Sequence, residues 1–90
     1  MADINKTLDE RKSTYGHYLA QARTSQDIKM VMRDTKTWEE LSSDKQEALD
    51  MIAHKIARIL NGNPDYTDNW HDVAGYASLV ERELITNKEQ

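Results

Sequence analysis

The chain has 90 residues, no cysteine and a net charge of −4. This length predicts one domain over residues 1–90 with a thin core, because so small a domain buries only about 60% of its unfolded surface. The acidic balance argues against a general nucleic-acid binder. The absence of cysteine excludes disulfides and thiolate metal sites and favours a reducing compartment. With no signal-peptide features and only short apolar runs, we expect a cytoplasmic protein with no membrane span.

Charge is distributed unevenly along the chain. Residues 1–36 carry seven basic and five acidic residues, whereas residues 37–90 carry five and eleven, which gives +2 and −6. The acidic part is compatible with a metal site or a basic partner, and simple solubility is the plainer interpretation. A thin core also makes a homodimer a plausible way to bury more surface.

The first third of the chain predicts two helices. Ile4 and Leu8, four apart, indicate a short helix within 1–16 that ends in a turn. A second helix is predicted over 17–36, either continuous or bent or broken at the cap-like stretch 24–27, which could start a fresh helix. Its candidate core positions are apolar: Tyr18, Ala22, Ile28, Val31 and Met32.

The most regular pattern lies in residues 43–61, where Ser43 with Gln46 resembles a capping box and Gly62 is a plausible stop. At 100° per residue an apolar stripe shares one broad face and predicts the core side: Leu49, Ile52, Ala53, Ile56, Ala57, Ile59 and Leu60. The opposite side is polar, with Lys55 at the boundary: Glu47, Asp50, His54 and Arg58.

A last helix is predicted over 68–86, following the loop signal of Gly62 and Pro64. Its apolar stripe repeats at helical spacing: Trp70, Val73, Ala77, Val80 and Leu84. Gly75 inside it costs roughly 1 kcal/mol against alanine, which suggests either close approach of a neighbour or tolerated drift. The sequence therefore predicts an all-α bundle of about four helices, the last two forming an antiparallel hairpin.

Two groups of residues could carry chemistry. Four carboxylates at helical spacing on the last two helices are candidate Mg²⁺ ligands: Glu47, Asp50, Asp68 and Asp72. In an antiparallel hairpin the last two would lie near His54 and Arg58, so ion pairs with Arg58 and Lys55 compete with a metal site. Aromatic residues could form a pocket for a base, or simply pack: Tyr15, Tyr66, Trp70 and Tyr76. Zinc, P-loop and nucleophile-elbow motifs are absent.

Three segments carry a family resemblance: Tyr15-Gly16, the run MIAHKIARILNG at 51–62, and DNWHDVAGY at 68–76. Over residues 9–84 the chain resembles a small domain of unknown function that is common in tailed bacteriophages and prophages. That family is in turn distantly similar to MazG-like all-α nucleoside triphosphate pyrophosphatases, which hold Mg²⁺ around a triphosphate with ExxE and ExxD motifs. Glu47-x-x-Asp50 matches one half, and Asp68 and Asp72 are spaced four apart rather than three.

The resemblance implies two kinds of function. The first is a phage accessory protein that binds a host or phage protein through a helical surface. The alternative is a Mg²⁺-dependent MazG-like nucleotide pyrophosphohydrolase or a nucleotide-binding module without turnover. The catalytic residues are not assigned, and the metal candidates are the four carboxylates. The candidates for contact with phosphate or a partner are mainly basic and aromatic: Lys55, Arg58, Tyr15, Trp70, Tyr76 and His54.

Overall fold

The computed structural model describes residues 3–89, which contain four α-helices and one short 3₁₀ turn. The elements are α1 (Ile4–Tyr15), α2 (Tyr18–Arg33), the 3₁₀ turn Trp38–Glu40, α3 (Ser43–Asn61) and α4 (Thr67–Glu89). These residues contain no strand, which confirms the predicted all-α class. None of the helices described is both long and apolar enough to span a membrane.

The centre of the fold is α3, which lies between α2 and α4 and packs against both. We call these three elements the helical layer. The Lys55–Asp72 ion pair joins the second half of α3 to the beginning of α4, so the predicted antiparallel hairpin is present. Bonds from Arg33 to Asp50 and from Asn61 to Thr24 show that α2 also runs antiparallel to α3.

Two glycines allow the α1–α2 corner to rest on the α3–α4 loop. Gly16 has a φ of +85°, a conformation that side chains disfavour, and a Cβ there would overlap the Asn61 carbonyl. A Cβ on Gly62 would overlap the backbone of Thr14 and Tyr15. The Asn63 amide donates to the Thr14 carbonyl at 2.8 Å, so the two segments are joined through their backbones.

Several predicted helix ends are shifted. The second helix is continuous through 24–27, because Thr24 bonds back to the Ala20 carbonyl instead of capping a new start. Ser42 precedes α3, and the Gln46 side chain donates to the Trp38 carbonyl rather than completing a capping box. The last helix begins at Thr67 and continues to Glu89. Residues 1, 2 and 90 of the predicted domain lie outside the described residues.

The predicted core is wrong on one side of α3. Among the described residues, the buried apolar side chains are few: Trp38, Ala48, Ala53 and Ala57. Leu49, Ile56 and Leu60 of the predicted core stripe are exposed by 40%, 37% and 68%. Because α2 and α4 flank α3, this stripe lies on the third side of the helix, which no element of residues 3–89 covers.

On α2 and α4, too, some of the predicted core residues are exposed. On α2 the buried residues are Gln21 and Ser25, whereas the predicted core residues Tyr18 and Val31 are exposed. On α4 the most buried residue is Asn69, and Trp70 of the predicted stripe is exposed by 55%. The helices therefore meet through small and polar side chains, and much of their apolar surface faces outward.

Candidate functional site

One side of the helical layer is polar, and α3 supplies most of it. His54, Lys55 and Arg58 fall on neighbouring positions of the helix at 100° per residue, so they project to the same side. Asp72 of α4 and Tyr15 of α1 meet them there. We call these five residues the polar face. Its position follows from the α3–α4 hairpin and from the glycine contact that brings the end of α1 onto α3.

A short ion pair links the two helices of the hairpin. The Lys55 ammonium lies 2.8 Å from the Asp72 carboxylate. Lys55 is only 9% exposed, so its charge needs this partner, whereas the Asp72 side chain remains partly in solvent. The bond from Lys55 holds the pKa of Asp72 below its ordinary value, and the charges of His71 and Arg58 add to the effect.

Arg58 lies over an aromatic ring. Its guanidinium carbon is 4.2 Å from the centre of the Tyr15 ring, and that of Arg11 is 5.0 Å from the same ring. A cation–π contact of this kind contributes about 0.5–2 kcal/mol, more when it is shielded from water. The Nε of Arg58 is buried and has no hydrogen-bond partner among the described residues. One donor of this arginine is therefore left unused within residues 3–89.

A second tyrosine extends the cluster. The Tyr66 ring meets the Tyr15 ring edge to face, with 5.7 Å between centroids. The Tyr66 hydroxyl donates to the Asp68 carboxylate at 3.0 Å. That bond, together with Tyr15, raises the pKa of Tyr66 to about 12, so the phenol stays protonated at neutral pH.

His54 is half-buried beside three cations. Burial is the first cause that lowers its pKa below 6.5, and the charges of Arg58, Lys29 and Lys55 follow. The imidazole is therefore neutral at pH 7. Lys29 belongs to α2, so all three helices of the layer contribute charge to this side.

A family model described as a domain of unknown function (DUF6378) matches residues 2–84. The chain belongs to the DUF6378 family. No curated protein and no solved structure matches it. The match covers all of α1, α2 and α3 and most of α4, so every residue of the polar face lies in the DUF6378 domain.

The four predicted metal ligands of the DUF6378 chain are not brought together. Asp50 bonds Arg33 at 2.9 Å, Asp72 bonds Lys55, and Asp68 accepts from Tyr66. Glu47 lies at the edge of a groove of about 660 Å³ between the start of α3 and the second half of α4. Within residues 3–89 no three His, Asp or Glu side chains are grouped as a metal site. The competing expectation, an ion pair with Lys55, accounts for Asp72, whereas Asp50 pairs with Arg33, which was not predicted from the sequence.

The four predicted pocket aromatics also separate. Tyr15 and Tyr66 are in contact, whereas Tyr76 lines the same groove as Glu47. Trp70 points to the other side of α4 and donates its indole N–H to the Pro64 carbonyl at 2.7 Å. The polar face thus contains four of the six predicted contact residues: Lys55, Arg58, Tyr15 and His54.

Sequence reasoning missed three residues that contribute to this DUF6378 domain. Arg11 was part of a charged segment with no assigned role, yet it shares the Tyr15 ring with Arg58. Gln21 and Ser25 are buried against the layer although both are polar. Their spacing with Ile28 and Met32, at i, i+4, i+7 and i+11, was the signal that could have identified the inner side of α2.

Proposed function

We propose that this DUF6378 protein is a bacteriophage accessory protein that acts in the host cytoplasm by binding a host or phage protein through the polar face. The phage setting rests on the sequence resemblance. The observation that carries the binding role is Arg58, whose guanidinium carbon lies 4.2 Å from the centre of the Tyr15 ring and which forms no ion pair within the described residues.

Arginine and tyrosine are well suited to such a contact. Both are enriched among the residues that dominate protein interfaces, because they offer large, stiff contact surfaces with directional donors. The contact with the Tyr15 ring restricts Arg58 before binding, so less side-chain entropy is lost when a partner arrives. Arg11 adds a second cation on the same ring. The partner we infer therefore carries a carboxylate that can accept from arginine.

The test uses purified protein as bait in lysate of infected host cells, followed by reconstitution with the captured protein in pure form. We expect Arg58→Ala to weaken binding by about 10-fold or more, in line with loss of an interface arginine. Arg23→Ala removes an exposed arginine from α2 and is the matched control. A captured protein that binds wild type and Arg58→Ala equally would contradict the proposal, provided that both variants keep their helical circular-dichroism signal.

The alternative is nucleotide chemistry of the MazG-like kind, and one observation favours it. Arg11 and Arg58 gather around an aromatic ring with Lys55 nearby, an arrangement that could hold phosphates and a base. In that case Lys55 and Arg58 would meet the phosphates, and Glu47, Asp50 and Asp72 would hold Mg²⁺. Asp50 and Asp72 would first have to leave their ion pairs, which is why we prefer protein binding.

A panel of dNTPs with Mg²⁺ separates these functions. Release of pyrophosphate that is lost in Asp72→Asn would support the pyrophosphohydrolase. A rise in melting temperature without product would support a nucleotide-binding module. Neither product nor a thermal shift is the result expected for a protein that acts by protein binding alone.

A further inference from the structure

The side of the helical layer opposite the polar face is apolar. On α3, Leu49, Ile56 and Leu60 fall within about 40° of each other, roughly 120–160° from His54 and roughly 160–180° from Arg58. On α4, three further exposed residues repeat every seven positions. We call the two stripes together the apolar face: Leu49, Ile56, Leu60, Trp70, Ala77 and Leu84.

The two stripes lie on the same side of the layer. Lys55 and Asp72 meet on the polar side of the α3–α4 contact. On α3, the apolar stripe and the polar face lie on opposite sides of the contact with α4. On α4, the stripe that contains Trp70 lies on the side that faces away from Asp68 and Asp72. Adjacent helices thus place exposed apolar side chains on one side of the layer, interrupted on α4 by Glu81; among them Leu60 is exposed by 68% and Trp70 by 55%.

The chain exposes more surface than a stable monomer of its mass would. Its accessible area is 6947 Å², whereas a folded chain of 10.4 kDa is expected to expose about 5,400 Å². The excess, on the order of 1,500 Å², belongs to the whole chain, in which α1 has no buried residue, and it is larger than the ~800 Å² that each partner buries in a standard interface. A core of Trp38 and three alanines provides little apolar burial to offset this exposure.

We propose that the apolar face is a homodimer interface in which a second copy of this chain covers α3 and α4 about a two-fold axis. A second copy is favoured over a foreign partner because the uncovered face includes the central helix, so the covering partner has to be present whenever the chain folds. None of the six residues is charged, and the two charged residues on the same flank of α4, Glu81 and Lys88, have opposite signs. The inference goes beyond the proposed function, because the polar face of each copy would stay exposed and would take no part in the dimer contact.

Single cysteines test the geometry cleanly because the natural chain has none. In a two-fold interface a residue near the axis approaches its own copy, so Ile56→Cys is expected to form a disulfide-linked dimer under mild oxidation. Leu19→Cys is the control, since Leu19 is 78% exposed and lies about 160° round α2 from buried Gln21. Equal cross-linking of the two variants, or none in either, would overturn the proposal.

Sedimentation and light scattering test the dimer without substitution. We expect wild type at twice the 10.4 kDa of one chain and a melting temperature that rises with concentration. Ile56→Asp should raise the dissociation constant by about 100-fold, because it places an unpaired carboxylate in the interface, whereas Leu19→Asp should leave it unchanged. If Ile56→Asp does not fold, the concentration dependence of wild type decides. A folded wild type of 10.4 kDa with a concentration-independent melting temperature would overturn the proposal, whatever happens to partner binding by Arg58.

Discussion

The two faces of α3 show opposite ways of using one helix. The polar face is held by specific contacts: the Lys55–Asp72 ion pair and the stacking of Arg58 on Tyr15. The apolar face, on the other side of the same helix, has apolar side chains but no covering element within residues 3–89. The residues of the polar face thus contact one another within the chain, although the Arg58 Nε has no hydrogen-bond partner in residues 3–89, whereas the apolar face consists of apolar side chains that are exposed.

This difference separates two roles that amphipathic helices usually combine. In most small domains the apolar stripe forms the core and the polar stripe meets water. Here small residues such as Ala53 and Ala57 let the helices approach closely, and charged or amide side chains fill the rest of the contact. We infer that the domain divides its stabilisation between internal polar contacts and an external apolar contact.

The largest effect is expected from a substitution at the α1–α2 corner, which brings Tyr15 to the polar face. Gly62→Ala would drive a methyl into the backbone of Thr14 and Tyr15, and no flexible side chain can yield there. We expect a loss of more than about 3 kcal/mol in unfolding free energy, because the α1 corner must move. Urea unfolding followed by circular dichroism measures it.

Gly75→Ala is the matched control for that change. A Cβ on Gly75 meets nothing within 4 Å, so this helical glycine shows no close approach by a neighbour. We expect alanine there to stabilise α4 by about 0.5–1 kcal/mol. If both substitutions changed stability to a similar extent, the corner contact would not be what positions Tyr15.

Periodicity predicted the helices well, because 3.6-residue repeats and the loop at Gly62 are local signals. The range 43–61 of the main helix coincides with α3, and the hairpin follows from the short loop after it. Which side of α3 turns inward is not a local property. It depends on where α2 and α4 lie. Ala53 and Ala57 belong both to the predicted apolar stripe and to the buried contact, so they do not tell the two sides of α3 apart.

The candidate site was predictable in part for the same reason. Helical spacing alone grouped His54 and Arg58, and the antiparallel hairpin brought Asp72 to Lys55. Tyr15 reaches Arg58 because Gly16 lies against Asn61 and Gly62 lies against Tyr15, contacts that join segments about 45 positions apart in the chain. No spacing within one helix encodes a contact of that kind, so the aromatic half of the polar face required the structure.

A second prediction concerns the Lys55–Asp72 ion pair, in which Lys55 is much more buried than Asp72. Asp72→Asn leaves the buried Lys55 ammonium without its partner, so we expect the melting temperature to fall by about 5–10 °C. Lys55→Met keeps the apolar stem and leaves a carboxylate that is already partly in water, so the decrease should be less than half as large.

Thermal unfolding of both variants and of the exposed control Asp65→Asn checks this order. Asp65 lies in the loop before α4 and should tolerate the change within about 0.5 kcal/mol. Equal decreases for Asp72→Asn and Lys55→Met would mean that the two charges are equally hydrated, and the polar face would then be an ordinary surface.

The smallest expected effect is the pH response of His54. Burial and the charges of Arg58, Lys29 and Lys55 place its native pKa below 6.5, so below that pH the unfolded chain binds more protons than the native one. The contribution of His54 to the free energy of unfolding is therefore fully present above pH 6.5 and is lost as the pH falls toward the native pKa of the imidazole. In His54→Gln the decrease in melting temperature between pH 7.5 and 5 should be smaller than in wild type by about 2–4 °C. An identical pH profile in both proteins would mean that His54 lies in water, and the polar face would lose one of its five residues.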